Sequence, residues 1–268
     1  MAGRPVWLIG CGNMAGAMLT GWLAAGENPK RFHVIDPAGP DLPDGVELVA
    51  APPAEGFGDT MVQLGFKPHM LADIAPGLRP SIGAETILLS ILAGVELETL
   101  RAAFPVAGQI VRIMPNTPVA LGKGAVGLLA EDRADPRARS VAELMAMLGL
   151  AEWIADEALF DVVTALSGSG PAFLFRFIDG LAQGGASLGL DADIAKRLAI
   201  ATVQGAAELA ATSDEDPGRL ADRVASPGGS TRKGLDILDD GDALADLLAR
   251  TLDAATRRNR EMAEEAKR

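Results

Sequence analysis

Three residue types with catalytic side chains are scarce or absent: the chain has one cysteine, two histidines and no tyrosine. A single cysteine excludes an intrachain disulfide and a zinc site built from several cysteines, and we expect no metal. The absence of tyrosine removes a common proton donor of carbonyl reductases. The Gly-x-Ser-x-Gly turn of many serine hydrolases does not occur either. Disulfide-stabilised folds, cysteine-bound zinc and that hydrolase chemistry are therefore excluded.

Positive charge is also scarce, with 24 lysine and arginine residues against 36 acidic ones and a net charge of −12. Nucleic-acid binding requires clustered cations, so we expect no nucleic-acid partner. No stretch approaches the about 20 uninterrupted apolar residues of a membrane span, so we expect no membrane partner. The first residues lack the apolar region and cleavage site of a signal peptide, which predicts a cytoplasmic protein.

The first 156 residues alternate between short apolar runs and helical segments. Apolar runs predict strands at 6–9, 32–35, 46–49, 61–66, 86–92, 109–114, 125–130 and 152–154. Helices are expected at 13–25, 70–78, 96–104 and 137–148. This alternation predicts an α/β Rossmann domain with a doubly wound, mostly parallel sheet over residues 1–156.

Residues 157–268 contain no further convincing strand and are predicted to form an all-α domain. Long segments rich in alanine and leucine predict helices at 172–188, at 192–211 and from residue 243 onward. Such small residues let helices pack closely. The pattern fits a dimer interface, and it fits the core of a monomeric bundle equally well.

The first predicted strand leads into the dinucleotide fingerprint Gly10-Cys11-Gly12-Asn13-Met14-Ala15. Gly10 permits a tight turn, Gly12 lets the backbone approach a pyrophosphate, and Ala15 lets the helix pack on the strand. The free amides at Asn13 and Met14 begin a helix whose dipole favours phosphate. The fingerprint predicts a bound dinucleotide. The alternative is a glycine-rich turn without a ligand.

Asp36 ends the second predicted strand, about 20 residues after the fingerprint, where an acid accepts hydrogen bonds from the adenosine ribose. A carboxylate there repels the 2′-phosphate of NADP, and no lysine or arginine follows closely. The position favours NADH as the cofactor, although Asp36 could instead cap the proline-rich loop that follows it.

Three polar segments rich in glycine and proline interrupt apolar surroundings, at 114–118, 167–172 and 226–231. The first follows a strand, where open α/β sheets bind ligands. The third offers backbone amides and two hydroxyls, a suitable cradle for a carboxylate. Each alone could be a loop with a helix cap. All three segments in one chain with a dinucleotide fingerprint favour a reductase. Because tyrosine is absent, the favoured substrate is an imine, whose nitrogen can be protonated before hydride arrives without a strong protein acid.

The same segments resemble the pyrroline-5-carboxylate reductase family over nearly the whole chain. The matching motifs are Gly-Cys-Gly-Asn-Met-Ala at 10–15, Phe-Lys-Pro at 66–68, Met-Pro-Asn-Thr-Pro at 114–118, Ser-Gly-Ser-Gly-Pro-Ala-Phe at 167–173 and Ser-Pro-Gly-Gly-Ser-Thr at 226–231. The last, with Leu220-Ala221-Asp222 upstream, is the most specific. The resemblance implies a Rossmann domain and a helical dimerisation domain, with a homodimer or larger homo-oligomer as the assembly.

The resemblance also implies a reaction, which is hydride transfer from NAD(P)H to 1-pyrroline-5-carboxylate, giving L-proline. Its implied catalytic residues are Thr231, beside the ring nitrogen, and Lys67. The implied substrate-binding residues are Gly228, Gly229, Ser230, Thr231, Ser169 and Gly170. The implied cofactor-binding residues are Gly10, Gly12, Asn13, Met14, Ala15, Asp36, Lys67, Pro68, Asn116 and Pro118.

Two departures and two alternatives accompany this resemblance. Residue 223 is Arg where the family commonly has Asn, and Asp36 stands where members preferring NADP carry small polar or basic residues.

One alternative is a hydroxyacid dehydrogenase of the 6-phosphogluconate type with Lys196 as acid and base, although the accompanying asparagine is missing. The other is a nucleotide-sensing protein without catalysis, which has no need of a carboxylate cradle.

Overall fold

The computed structural model describes residues 3–266. Two compact units divide these residues. Unit 1 comprises residues 3–169 together with 255–266, and unit 2 is Gly170–Ala254. The predicted domain division after residue 156 stays a prediction.

Unit 1 contains one eight-stranded sheet with the strand order β3-β2-β1-β4-β5-β6-β7-β8. Every neighbouring pair is parallel except β6 and β7. The sheet is therefore mostly parallel, as predicted, and the strand order reverses between β1 and β4. The strands are β1 (Val6–Ile9), β2 (Phe32–Ile35), β3 (Glu47–Leu48), β4 (Met61–Leu64), β5 (Ile87–Ser90), β6 (Gln109–Met114), β7 (Gly124–Ala130) and β8 (Gly149–Trp153).

Helices cover both faces of the sheet, which gives the doubly wound architecture. Four helices of unit 1 are α1 (Asn13–Ala24), α2 (Leu71–Leu78), α3 (Leu97–Ala103) and α4 (Pro136–Ala146). Val6 and Leu8 of β1 pack in the apolar cluster that contains α1 and α4. Trp7 and Ile9 point to the opposite cluster with α2 and α3. Since successive strand side chains alternate between faces, a fully apolar strand supplies both cores.

The connection between the two units is helical from its beginning. A short helix α5 (Phe160–Val163) continues into a π-helical turn at Thr164–Gly168, which we call the π turn. An added Cβ on Gly127 would come within 2.7 Å of a Val163 methyl, so this glycine lets α5 lie close on β7. The sequence did not predict α5, because four residues are too short for helical periodicity.

Unit 2 is helical throughout. Its helices are α6 (Gly170–Ser187), α7 (Ala192–Thr212), α8 (Pro217–Val224), α9 (Ser230–Asp239) and the first half of α10 (Ala243–Ala266). A Cβ on Gly185 would meet the Ala195 methyl at 3.5 Å, so α6 and α7 pack closely through small residues. The short α8 was not predicted. It begins at an Asp-Pro pair, with Asp216 as N-cap and Pro217 in the first turn.

Unit 2 has almost no interior of its own. Among its residues only Ala195, Ala199 and Ala225 are buried, whereas Phe175 is 65% and Leu188 90% exposed. By length and composition, the helical run Glu157–Ser187 could also cross a membrane, with only 11% of its most apolar window buried. An exposed apolar surface of this extent is typical of a protein–protein or membrane contact surface.

Candidate active site

The fingerprint forms the turn between β1 and α1. Gly10 has a φ of +87°, a conformation that favours glycine, and its amide donates to the Ile35 carbonyl at the end of β2. A Cβ on Gly10 would lie 3.1 Å from the backbone of Gly65 and Phe66, which follow β4. The turn therefore sits at the carboxyl ends of three adjacent strands, beside the reversal of strand order.

Gly12 and the first turn of α1 fit a dinucleotide pyrophosphate. Gly12 is the N-cap of α1, and no side chain caps this helix or places a negative charge in its first turn. A Cβ on Gly12 would meet no atom within 4 Å, so packing within the protein does not require glycine here. Asn13 is exposed and Met14 half-buried. The free amides and open space suit an anion that approaches the backbone closely.

Ala15 is small for a packing reason. It is buried, and a Cβ on Gly65 would come 3.2 Å from the Ala15 methyl and 2.5 Å from the Gly10 carbonyl oxygen. The α1 helix thus begins against the end of β4 with no room for larger side chains. Gly65 was missed in the sequence, where its only signal is a glycine directly after an apolar strand.

Asp36 joins the end of β2 to the fingerprint loop. Its Oδ2 accepts the Cys11 amide at 2.8 Å, and its Oδ1 accepts the Ala38 amide at 2.9 Å. The second bond is the loop cap that the sequence left open as an alternative, and the first ties the acid to the phosphate loop. Burial raises the pKa of the Cys11 thiol, and the Asp36 charge raises it further. The loop therefore carries a neutral thiol near pH 7.

Lys67 and Pro68 lie directly after β4, next to the fingerprint. Pro68 begins a short 3-10 helix (Pro68–Met70), and Lys67 precedes it as N-cap. The Lys67 side chain is exposed, and no acidic group within residues 3–266 forms an ion pair with it. Its ammonium is free to approach a bound anion at this edge of the sheet.

Asn116 and Pro118 follow β6. Asn116 is the N-cap of the 3-10 helix Thr117–Leu121, and its side chain is buried. Its Nδ2 donates to the Ser167 carbonyl at 3.0 Å, and its Oδ1 accepts the Ala125 amide at 2.8 Å. Both amide atoms are thus occupied within the protein. The half-buried Pro118 lies in the following turn.

Ser167 and Ser169 end unit 1, and Gly170 begins unit 2. The Ser167 hydroxyl bonds back to the Val163 carbonyl, and the Ser169 amide donates to the Thr164 carbonyl. The Ser169 hydroxyl has no partner among the described residues. The helix predicted from residue 172 begins at Gly170, because the π turn brings the helical backbone up to that point.

In unit 2, the residues predicted to bind the substrate carboxylate surround the beginning of α9. Gly228 has a φ of +73°, and Gly229 is the N-cap of α9, without a side-chain cap. A Cβ on Gly229 would lie 2.6 Å from the rotatable Ser226 hydroxyl oxygen and 3.1 Å from the Ser226 carbonyl oxygen, so the turn leaves little room for a side chain here. Ser230 and Thr231 are exposed, and within the described chain their hydroxyls have no hydrogen-bond partner.

Arg232 fastens this turn to its surroundings in unit 2. Its guanidinium pairs with Asp222 at 3.0 Å and with Asp239 at 3.2 Å. The unusual Arg223 instead pairs with Glu215 at 3.0 Å and is exposed. The family's Asn is therefore replaced here by a surface ion pair.

Lys196, the acid and base of the dehydrogenase alternative, is exposed on α7. It lines an apolar groove with Phe175 and Ile178 of α6. No group of three or more potential metal ligands occurs in the part of the chain that the structure describes.

A phosphate-binding turn at the reversal of strand order in a doubly wound sheet defines a dinucleotide-binding Rossmann protein. The model of the family described as pyrroline-5-carboxylate reductase dimerisation matches residues 157–262. The chain is 34% identical to a pyrroline-5-carboxylate reductase of Pseudomonas aeruginosa, with 99% of each chain covered. It belongs to the pyrroline-5-carboxylate reductase family.

Solved structures agree with this assignment. The pyrroline-5-carboxylate reductase of Coxiella burnetii is 31% identical and superposes with a TM-score of 0.86 over 96% of this chain and 98% of that one. A Plasmodium falciparum pyrroline carboxylate reductase with NADP bound has the same fold. It is 24% identical, with a TM-score of 0.84 over 98% of this chain and 99% of that one.

Proposed function

We propose that this chain reduces 1-pyrroline-5-carboxylate to L-proline with NAD(P)H, the last step of proline biosynthesis. The observation that carries the proposal is similarity over the full length to a reductase of that name. The fingerprint turn, with open space over Gly12, independently supports the use of a dinucleotide cofactor. The hydroxyacid dehydrogenase and the nucleotide-sensing protein are both disfavoured, because the chain belongs to a family of enzymes that catalyse a different reaction.

The cofactor is a nicotinamide dinucleotide, and when bound it supplies the hydride. We assign its pyrophosphate to the amides at Gly12, Asn13 and Met14, where the helix dipole favours negative charge. Lys67 and Pro68 contact it after β4. Gly10 and Ala15 hold the turn in shape, and Pro118 borders the nicotinamide.

NADH is the proposed preference, on account of Asp36. Its two bonds to backbone amides fix the carboxylate at the end of β2. A carboxylate has about four acceptor positions, so two remain for the adenosine ribose hydroxyls. A 2′-phosphate at the same place would meet a fixed negative charge, which costs affinity for NADPH.

The beginning of α9 is the proposed substrate site. Its free amides, with the unpartnered Ser230 and Thr231 hydroxyls, suit the substrate carboxylate. Ser169 and Gly170 complete the substrate-binding set. Thr231 donates a hydrogen bond at the ring nitrogen, and Lys67 supplies positive charge. The ring nitrogen takes up one proton that comes from water, and its neighbouring carbon accepts the hydride, so the imine becomes the secondary amine of proline.

A second copy of the chain is the proposed cover of unit 2. The matched family model is a dimerisation model, and it includes all of the exposed apolar helices α6 and α7. Two copies that bury these helices together would supply the interior that one copy lacks. Cytoplasmic location and the absence of a membrane partner stay predictions.

The test is NADH oxidation at the nicotinamide absorbance band with 1-pyrroline-5-carboxylate, with product analysis and a repeat with NADPH. We expect stoichiometric proline and faster turnover with NADH. Folded protein that binds NADH but oxidises it with neither this nor related cyclic imino acids would be a binding protein. Turnover confined to another cyclic imine would keep the reaction class and change the substrate.

A further inference from the structure

The Asn116 side chain connects two segments that are far apart in the chain. Its Nδ2 donates to the carbonyl of Ser167, 51 residues away, and its Oδ1 accepts the Ala125 amide. Asn116 is 7% exposed, so water does not compete freely for these bonds. A buried amide with both ends occupied holds its neighbours in place, and it has little capacity left for a ligand.

The Ser167 carbonyl lacks the donor that a regular α-helix would give it. In an uninterrupted α-helix this carbonyl would accept the N–H of the residue four positions later. That residue is Pro171, which has no N–H. Pro171 therefore leaves the Ser167 carbonyl without its α-helical donor. Asn116 supplies a donor in its place.

We infer that Asn116 is a positioning residue for hydride transfer, and that it acts by holding the π turn against the carboxyl end of β6. The inference rests on the proposed function and changes the role of Asn116 from cofactor ligand to clamp. Without the clamp, the π turn and the adjoining Ser169 would be free to shift relative to Pro118. A misplacement of about 1 Å can cost about a hundredfold in turnover while ground-state binding changes little.

The test compares Asn116→Ala and Asn116→Asp with the wild-type protein. Aspartate keeps an acceptor for the Ala125 amide but cannot donate to Ser167, and it is close enough in shape to serve if the alanine variant does not fold. Asn28→Ala is the matched control, because Asn28 is likewise the N-cap residue of a 3-10 helix (Pro29–Arg31), and its side chain accepts only the local Lys30 amide. Three quantities are measured: kcat, the Kd of NADH, and hydrogen exchange of backbone amides in residues 160–169.

We expect both Asn116 variants to lose about tenfold to a hundredfold in kcat. Their Kd for NADH should stay within about threefold, and exchange in 160–169 should accelerate, while Asn28→Ala matches the wild type. Unchanged exchange and kcat would overturn the clamp. A large rise in the NADH Kd with unchanged exchange would restore the ligand role. If the wild-type protein reduces no imine, the proposed function fails, and the exchange data alone decide whether the clamp exists.

Discussion

Asp36 and Cys11 show how one hydrogen bond affects both structure and charge in the phosphate loop. Asp36 accepts the Cys11 amide, and its charge adds to the effect of burial in raising the pKa of the Cys11 thiol. A raised pKa keeps the thiol protonated at neutral pH, so the loop does not present a second negative charge to the pyrophosphate. The conformation and the electrostatics of the loop thus depend on the same carboxylate.

Removing the Asp36 charge should shift cofactor preference toward NADPH. Asp36→Asn keeps a carbonyl acceptor for a loop amide, so the loop should survive while the repulsion of a 2′-phosphate disappears. We expect the ratio of kcat/KM for NADPH to that for NADH to rise about tenfold, equivalent to about 1.4 kcal/mol. Asp41→Asn removes the same charge from the exposed loop nearby and should leave the ratio unchanged. An unaltered ratio in the Asp36 variant would exclude the ribose role.

Thr231 should affect turnover more than cofactor binding. Its hydroxyl has no partner in the described residues, so Thr231→Ala removes no internal hydrogen bond and should leave the melting temperature unchanged. We expect kcat to fall at least about tenfold, because the variant loses a hydrogen bond to the reacting nitrogen. A positioned donor of this kind assists protonation of the nitrogen. Thr231→Ser retains the hydroxyl and should keep most activity. A matching loss of NADH affinity in the alanine variant would count against a substrate role.

The turn between β1 and α1 uses glycines for different physical reasons. Gly10 adopts a positive φ. Gly65, which follows β4 and packs on this turn, has no room for a side chain, because an added Cβ would lie 2.5 Å from the Gly10 carbonyl oxygen. Gly12 has neither constraint, since its φ is −71° and a Cβ would find open space. Backbone conformation explains Gly10 and packing explains Gly65, whereas an approaching ligand explains Gly12.

Substitution of two of these glycines separates folding from cofactor binding. Gly12→Ala should lose only about 1 kcal/mol, or about 2–4 °C in melting temperature, because alanine is a poorer N-cap than glycine but meets no steric clash here. Its KM for NADH should nevertheless rise severalfold as the methyl blocks the pyrophosphate. Gly65→Ala should instead lose about 1–3 kcal/mol of stability through overpacking. Thermal melts and NADH titrations make the comparison, and normal NADH affinity in Gly12→Ala would remove the pyrophosphate from this turn.

The shortage of buried residues in unit 2 is a property of the whole molecule. A helical unit with three buried alanines and many exposed large apolar side chains cannot offset the conformational entropy of folding by itself. In the proposed homodimer, association of two copies would supply the missing burial. Folding of unit 2 and dimerisation should therefore be coupled.

A charge on the exposed face of α6 should break the assembly. Phe175 is 65% exposed and lies in the apolar groove between α6 and α7. We expect Phe175→Asp to reduce the mass measured by light scattering from at least a dimer to a monomer, with loss of helical signal. Val106→Asp is the control, since Val106 is 55% exposed in unit 1. A Phe175 variant with unchanged mass would show that this groove lies outside the interface.

Sequence patterns predicted the sheet strands well where apolar runs were long, as at Gln109–Met114, which matches its prediction. They predicted the ends less well, because a terminal residue depends on the neighbouring strand. The antiparallel direction of β7 was not anticipated, since a fully apolar strand has the same sequence pattern in either direction. The π turn was missed because its i to i+5 bonds leave no distinct spacing.

The chain by itself determined the class of fold, the cofactor turn and the family, because periodicity, glycine spacing and motifs are local in sequence. Tertiary structure alone decided that Asp36 bonds to Cys11, that Gly65 faces Gly10 and that Asn116 reaches Ser167. Each of these contacts joins residues at least 25 positions apart, brought together by the parallel strands and the helical connection. A hydrogen bond or a steric limit between distant residues depends on where the fold places them, and no local pattern records that placement.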